Sequence, residues 1–97
     1  MNIVWRPRAE ADLIRQAAWL QENRGGKAAL HYLAQVNDAI ERLSNSSEIL
    51  YRLHDAARNI RYCRINEHTA LYYRPLTDGV ELLTIFDTRQ RPDKLRL

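Results

Sequence analysis

The side chains in this sequence best suited to chemistry are its arginines. All but Lys27 and Lys94 of the 15 basic residues are arginine, whose planar fork makes paired contacts with phosphate or carboxylate. Their charge is unevenly spread. Residues 1–51 balance, so the net charge of +3 lies wholly in residues 52–97. The densest cluster is Asp87-Thr88-Arg89-Gln90-Arg91, which follows the apolar run Val80–Phe86 and is closed by Pro92. A buried strand that ends in a basic segment fixes where those charges point, and so makes a working surface. Arg58, Arg61, Arg64 and Arg74 lie on or beside the strands upstream. Along a strand Arg61 shares a face with Cys63, and Arg64 shares the other with Tyr62, so the two cannot serve one ligand. Two readings stay open. Arg89 and Arg91, with one or two upstream arginines, form a basic patch for a polyanionic or acidic partner. Alternatively, Arg89 pairs with Asp87 or with the C-terminal carboxylate as a structural clamp.

Other chemistries find little support. His31, His54, His68 and Cys63 are scattered, with no metal-ligand spacing. Cys63 falls inside a strand pattern and reads as a small core residue. With only Gly25, Gly26 and Gly79 there is no glycine-rich phosphate loop, and no cofactor is expected. One cysteine suits a reducing compartment. No apolar run approaches the roughly 20 residues needed to span a bilayer, and the start carries no signal-peptide pattern, so a cytoplasmic protein without membrane contact is expected.

The elements that must position the arginines follow from periodicity. At 45% apolar and 28% charged residues, the 97-residue chain reads as one folded domain over residues 1–97. Asn2–Trp5 has strand character and is ended by Pro7, which suits the first turn of a helix. From Arg8 to Arg24 the residues Ala9, Leu13, Ile14, Ala17, Ala18 and Leu20 recur at helical spacing, until Gly25-Gly26 stops them. A second helix spans about Lys27–Leu43 with a seam of Ala29, Leu33, Val36, Ile40 and Leu43. It is ended by Ser44 to Ser47. Trp19 and Tyr32 lie off the main stripes, either extending the core or exposed for a partner. Glu48–Asn59 reads as a loop with one apolar anchor, Leu50 or Leu53. Three strands follow, Ile60–Ile65, Thr69–Arg74 and Val80–Phe86, joined by short turns that include Asp78-Gly79. In the last strand Leu82, Thr84 and Phe86 alternate with Leu83 and Ile85. The expected fold is α+β: an N-terminal strand, an antiparallel helix hairpin, then a three-stranded antiparallel meander (β-α-α-β-β-β), with both helices on one face of the sheet.

With this element order, Ala11-Asp12-Leu13, Arg58, Leu71-Tyr72-Tyr73-Arg74 and Ile85 through Pro92 resemble the RelE/ParE superfamily of bacterial type II toxins over nearly the whole chain. RelE-like members cut messenger RNA on the ribosome, using basic residues at the scissile phosphate and a Tyr or His near the C-terminus for proton transfer. Here the RelE arginine of the third strand falls at Ala70, and the tail beyond Arg89 has neither Tyr nor His. The resemblance is therefore to the ParE branch, which implies inhibition of DNA gyrase by binding and not by catalysis. Its expected target surface is Arg61, Arg64, Asp87, Arg89, Gln90 and Arg91. It also implies a cognate antitoxin, with operator DNA reached only through that partner; Trp19 and Tyr32, as apolar positions left over from the core, are its expected docking sites. The alternatives are a ribosome-dependent ribonuclease using Arg61 and Arg89, and a non-toxic adaptor that only binds an antitoxin-like partner.

Overall fold

The computed structural model describes residues 2–45 and 51–97. Ser46, Ser47 and Leu50, assigned above to a helix end and a loop anchor, lie outside the described residues. The elements are β1 (Asn2–Trp5), α1 (Pro7–Arg24), α2 (Gly26–Asn45), β2 (Arg52–Asp55), β3 (Ile60–Asn66), β4 (Thr69–Leu76) and β5 (Gly79–Asp87), followed by a 3₁₀ turn at Pro92–Lys94. The five strands form one sheet in the order β1-β5-β4-β3-β2. β1 runs parallel to β5, and the other pairs are antiparallel. The α+β architecture is the expected one. The stretch expected as a loop from Glu48 to Asn59 contains an added edge strand, β2, paired to β3 through Arg52–Tyr62 and Leu53–Arg61. Its side chains are mostly exposed and its register shifts at His54, so it lacks the period-2 burial that would mark a strand in the sequence.

Local chemistry sets the ends of the elements. Arg6 is extended and Pro7 takes the first helical position, where its missing N–H costs nothing. Gly25 ends α1 with φ 94°, a conformation open to glycine, and α2 starts at the next residue. Gly79 is required for a different reason. β1 comes so close that a Cβ there would stand 2.0 Å from the Asn2 carbonyl oxygen. The same approach lets the Asn2 N–H donate to the Asp78 carbonyl at 2.9 Å.

Both helices cover one face of the sheet, where Ala9, Tyr32, Val36, Ala39 and Leu43 meet Cys63, Ile65, Leu71, Tyr73, Val80, Leu82 and Ile85. A smaller cluster on the opposite face joins Ile60, Ala70, Tyr72 and Leu83 to Tyr62, Phe86 and Leu95. Three expectations need correction. The α2 seam is Ala29, Tyr32, Val36, Ala39 and Leu43; Tyr32 is 5% exposed while Leu33 is 37% exposed. On α1, Ile14 lies outside the core at 61% exposure. Simple alternation in β5 also fails, because Tyr72 pairs with Thr84 and Tyr73 with Leu82, leaving Leu83 as a bulge. The bulge groups Leu82 with Ile85 under the helices, and Leu83 with Phe86 on the far face.

At that bulge α1 is fastened to the sheet. The register of β1 ends at Trp5–Leu82, so it does not cover the upper half of β5. Asp12, 6% exposed, accepts the Ile85 N–H at 3.1 Å and the Thr84 hydroxyl at 2.5 Å. One turn on, Gln16 Nε2 donates to the Ile85 carbonyl at 2.9 Å. Two helix side chains thus occupy the backbone groups that a neighbouring strand would take. Replacing Asp12 by Ala strands a buried N–H and a buried hydroxyl, each normally costing about 1–3 kcal/mol when unsatisfied. We expect Asp12→Ala to lose about 2–4 kcal/mol in urea unfolding, and Asp12→Asn distinctly less. Equal losses for the two would show that the hydrogen bonds at Asp12 matter little.

Candidate functional site

The end of β5 opens into a cleft of about 730 Å³. α1 contributes Arg15, Gln16, Trp19 and Leu20, and α2 contributes Tyr32 and Gln35. The opposite wall is the β3–β4 turn from Asn66 to Thr69, and the rim is Asp87, Arg89 and Gln90. Sheet register brings the two sides of that rim together. Thr69 pairs with Asp87, and the Thr88 N–H donates to the His68 carbonyl at 2.8 Å. Asn66 Nδ2 donates to Gln35 Oε1 at 3.1 Å, tying the turn to α2.

The arginine chemistry of the rim is already engaged. Arg89 donates Nε to Asp87 Oδ1 at 3.0 Å and Nη2 to Asp87 Oδ2 at 2.8 Å, and its backbone N–H reaches Oδ1 at 2.9 Å. This is the clamp reading of the sequence. Arg91 repeats it with Asp93, at 3.2 Å through Nε and 2.7 Å through Nη2. The hydrogen bonds from Arg89 hold the Asp87 carboxyl below the usual carboxylate range, against the opposing effect of its partial burial. The carboxylate in turn raises the Arg89 pKa.

The expected target surface is only partly assembled at the cleft. Asp87, Arg89 and Gln90 line it; Arg61, Arg64 and Arg91 do not. Alternation along β3 separates the first two, as expected. Arg61 follows the parity of Cys63 and bonds Asn59 Oδ1 at 3.3 Å, whereas exposed Arg64 donates to the Glu67 carbonyl at 2.9 Å. Arg89 and Arg91 each fold back on an aspartate two residues away.

Of the two docking positions, Trp19 stands 53% exposed at the cleft. Tyr32 follows the first of its two readings and extends the core, where its hydroxyl hydrogen-bonds Gln16 Oε1. Burial, then the nearby Asp12 charge, pushes the Tyr32 pKa up, so the hydroxyl stays a donor. Burial likewise pushes the Cys63 thiol up to about 11, which keeps it unreactive at neutral pH. Sequence reasoning missed Arg15, Gln16 and His68 as cleft residues. For His68 a signal existed: aligning the β4–β5 hairpin sets the turn before Thr69 beside Asp87.

Asp87 titrates lower in the folded chain than in the unfolded one, so its contribution to stability is present above the unfolded value of about 3.9 and is lost as pH falls through the folded value. In carbonyl-detected NMR titrations we expect the Asp87 midpoint below that of free aspartate, and a return toward it in Arg89→Ala. An unchanged midpoint in the variant would mean that something other than the clamp lowers it.

The sequence model of the family described as ParE toxin of type II toxin-antitoxin system, parDE, matches residues 3–92. Among solved structures, a chain of the chromosomal ParDE TA system from P. aeruginosa superposes with a TM-score of 0.74 at 16% identity, covering 90% of this chain and 95% of that one. A chain of the YoeB-YefM complex from Staphylococcus aureus superposes with a TM-score of 0.58 at 12% identity, covering 88% and 93%. At such identities the likeness is one of fold. No curated protein matches the sequence.

Proposed function

Because the chain belongs to the ParE toxin family of type II toxin-antitoxin systems, we propose that it arrests growth by binding DNA gyrase and not by cutting a substrate. The observation that carries this reading is the state of Arg89. A ribonuclease needs a cation able to take the extra negative charge of a phosphate under attack. Here the guanidinium is held two-pronged by Asp87, with Nη2 at 2.8 Å from Oδ2. A charge-paired rim beside an exposed Trp19 suits recognition of a protein surface, where arginine and tryptophan are favoured anchors. Arg61, Arg64 and Arg91 stay in the proposal as outer contacts, and the protein acts in the cytoplasm.

The cognate antitoxin is the second partner, and operator DNA is met only through it. Its docking centres on Trp19 at the cleft, with Tyr32 supporting the floor through Gln16.

One observation favours the ribonuclease reading instead. His68 lines the same cleft as Arg89, which places an imidazole, a side chain suited to general acid–base work, in one cleft with a guanidinium.

Pulse labelling separates the readings. Minutes after induction, thymidine incorporation should fall before leucine incorporation, and Arg89→Ala should abolish the arrest with its melting temperature lowered by no more than a few degrees. Leucine incorporation failing first, with His68→Ala inactive, would transfer the assignment to the ribonuclease.

A further inference from the structure

Two guanidiniums face the cleft with donors to spare. Arg15 gives Nη2 to Asp12 Oδ1 at 3.0 Å, and Arg89 gives Nε and Nη2 to Asp87; both side chains are mostly exposed. Beside them Trp19 is open to solvent, with Leu20 also in the lining. A cleft of about 730 Å³ takes a few side chains of a protein segment, not a folded domain. Its chemistry asks those side chains for one apolar group against the indole and one carboxylate for a guanidinium.

A carboxylate already occupies that second position. Asp87 meets Arg89 in the two-point geometry that a foreign carboxylate would use. The pair lies at the surface, where ion pairs add little net stability, so replacing one carboxylate by another disturbs the fold little. The backbone N–H of Arg89 also bonds Asp87 Oδ1 at 2.9 Å, which keeps the turn shaped when the guanidinium swings to a new partner.

We propose that Asp87 is an intramolecular place-holder: an acidic segment of the antitoxin enters the cleft, its carboxylate replaces Asp87 on Arg89, and an adjoining apolar side chain covers Trp19. The proposal rests on the antitoxin reading above and names the chemistry of that contact. Asp87 repels the incoming carboxylate and so holds the affinity down. The antitoxin then covers the same arginine that the target requires.

The test is calorimetric titration with the neighbouring-gene protein that restores growth on co-expression, against the wild-type chain, Asp87→Asn, Arg89→Ala, Trp19→Ala and Leu30→Ala. Asparagine keeps one oxygen to accept the Arg89 backbone N–H, and removes the charge together with the second oxygen that accepts from Nη2. Leu30 is exposed and lies outside the cleft lining, so it serves as the control. All four substituted side chains lie at the surface, and melting curves check that each variant folds. We expect Asp87→Asn to bind roughly three- to tenfold tighter, Arg89→Ala and Trp19→Ala at least about tenfold weaker, and Leu30→Ala within about twofold of wild type.

Asp87→Asn weakening as much as Arg89→Ala would overturn the proposal, because the ion pair itself would then be what is recognised. Leu30→Ala weakening more than Trp19→Ala would also overturn it, by moving the docking site off the cleft. So would a gain by Asp87→Asn for a labelled single-stranded oligonucleotide without one for the antitoxin. If no neighbouring-gene protein binds even the wild-type chain, the partner reading fails and takes the proposal with it. That failure is distinct from a wild-type complex whose variants behave otherwise than expected.

Discussion

The fold turns on one buried carboxylate. Asp12 sits on α1 where β1 no longer covers β5, and it accepts from the Thr84 hydroxyl and the Ile85 N–H. A charge taken out of water is tolerated only when hydrogen bonds and a countercharge replace the lost hydration. Here two sheet donors and Arg15 supply them. With Gln16 on the Ile85 carbonyl and Tyr32 on Gln16, a single polar line runs from the bulge through α1 into α2. The buried residues of α1 are Ala9 and Asp12, and Leu13, Ala17 and Leu20 pack partly buried against the core. Its place on the sheet is set by these hydrogen bonds together with that apolar packing.

Formal charge is a poor guide to the surface that results. The excess of three positive charges lies in the second half of the sequence, which invites the picture of a basic patch. Among the described residues, the folded chain pairs four of the nine basic residues there with carboxylates. Arg58 pairs with Asp55, Arg74 with Glu81, Arg89 with Asp87 and Arg91 with Asp93. Such exposed pairs add little to stability, yet they change what a ligand meets. Beside the cleft it meets a two-pronged pair held by a turn, in place of a bare guanidinium.

The architecture was legible because each element carried its own period and punctuation: Pro7, the Gly25-Gly26 pair, Asp78-Gly79. The misses share a cause, since each required knowing a partner in advance. Seams through Ala29-Leu33-Val36 and through Ala29-Tyr32-Val36 have equivalent helical spacing, and only the Gln16 acceptor makes the tyrosine the buried choice. The bulge at Leu83 stands beside Thr84 and Ile85, which donate to Asp12 far back in the sequence. β2 has no apolar face because it is an exposed edge strand that gains its order from pairing with β3. For the site, the segment Asp87–Arg91 was legible as the end of a buried strand, and its clamp was one of two open readings. The cleft was not, because three of its walls come from α1, α2 and the β3–β4 turn.

Those walls meet for a reason that begins at Pro7. By stopping β1 after four residues, it starts α1 early enough for Asp12 to reach the bulge and for Gln16, one turn on, to reach the Ile85 carbonyl. Trp19 follows three residues later, on the next turn of the same helix, and so comes to line the cleft beside the end of β5. A longer β1 would pair with Ile85 directly, make Asp12 and Gln16 redundant, and carry Trp19 away from Arg89. The meeting of an exposed indole and a charge-paired arginine in one cleft is thus a consequence of where one parallel strand ends.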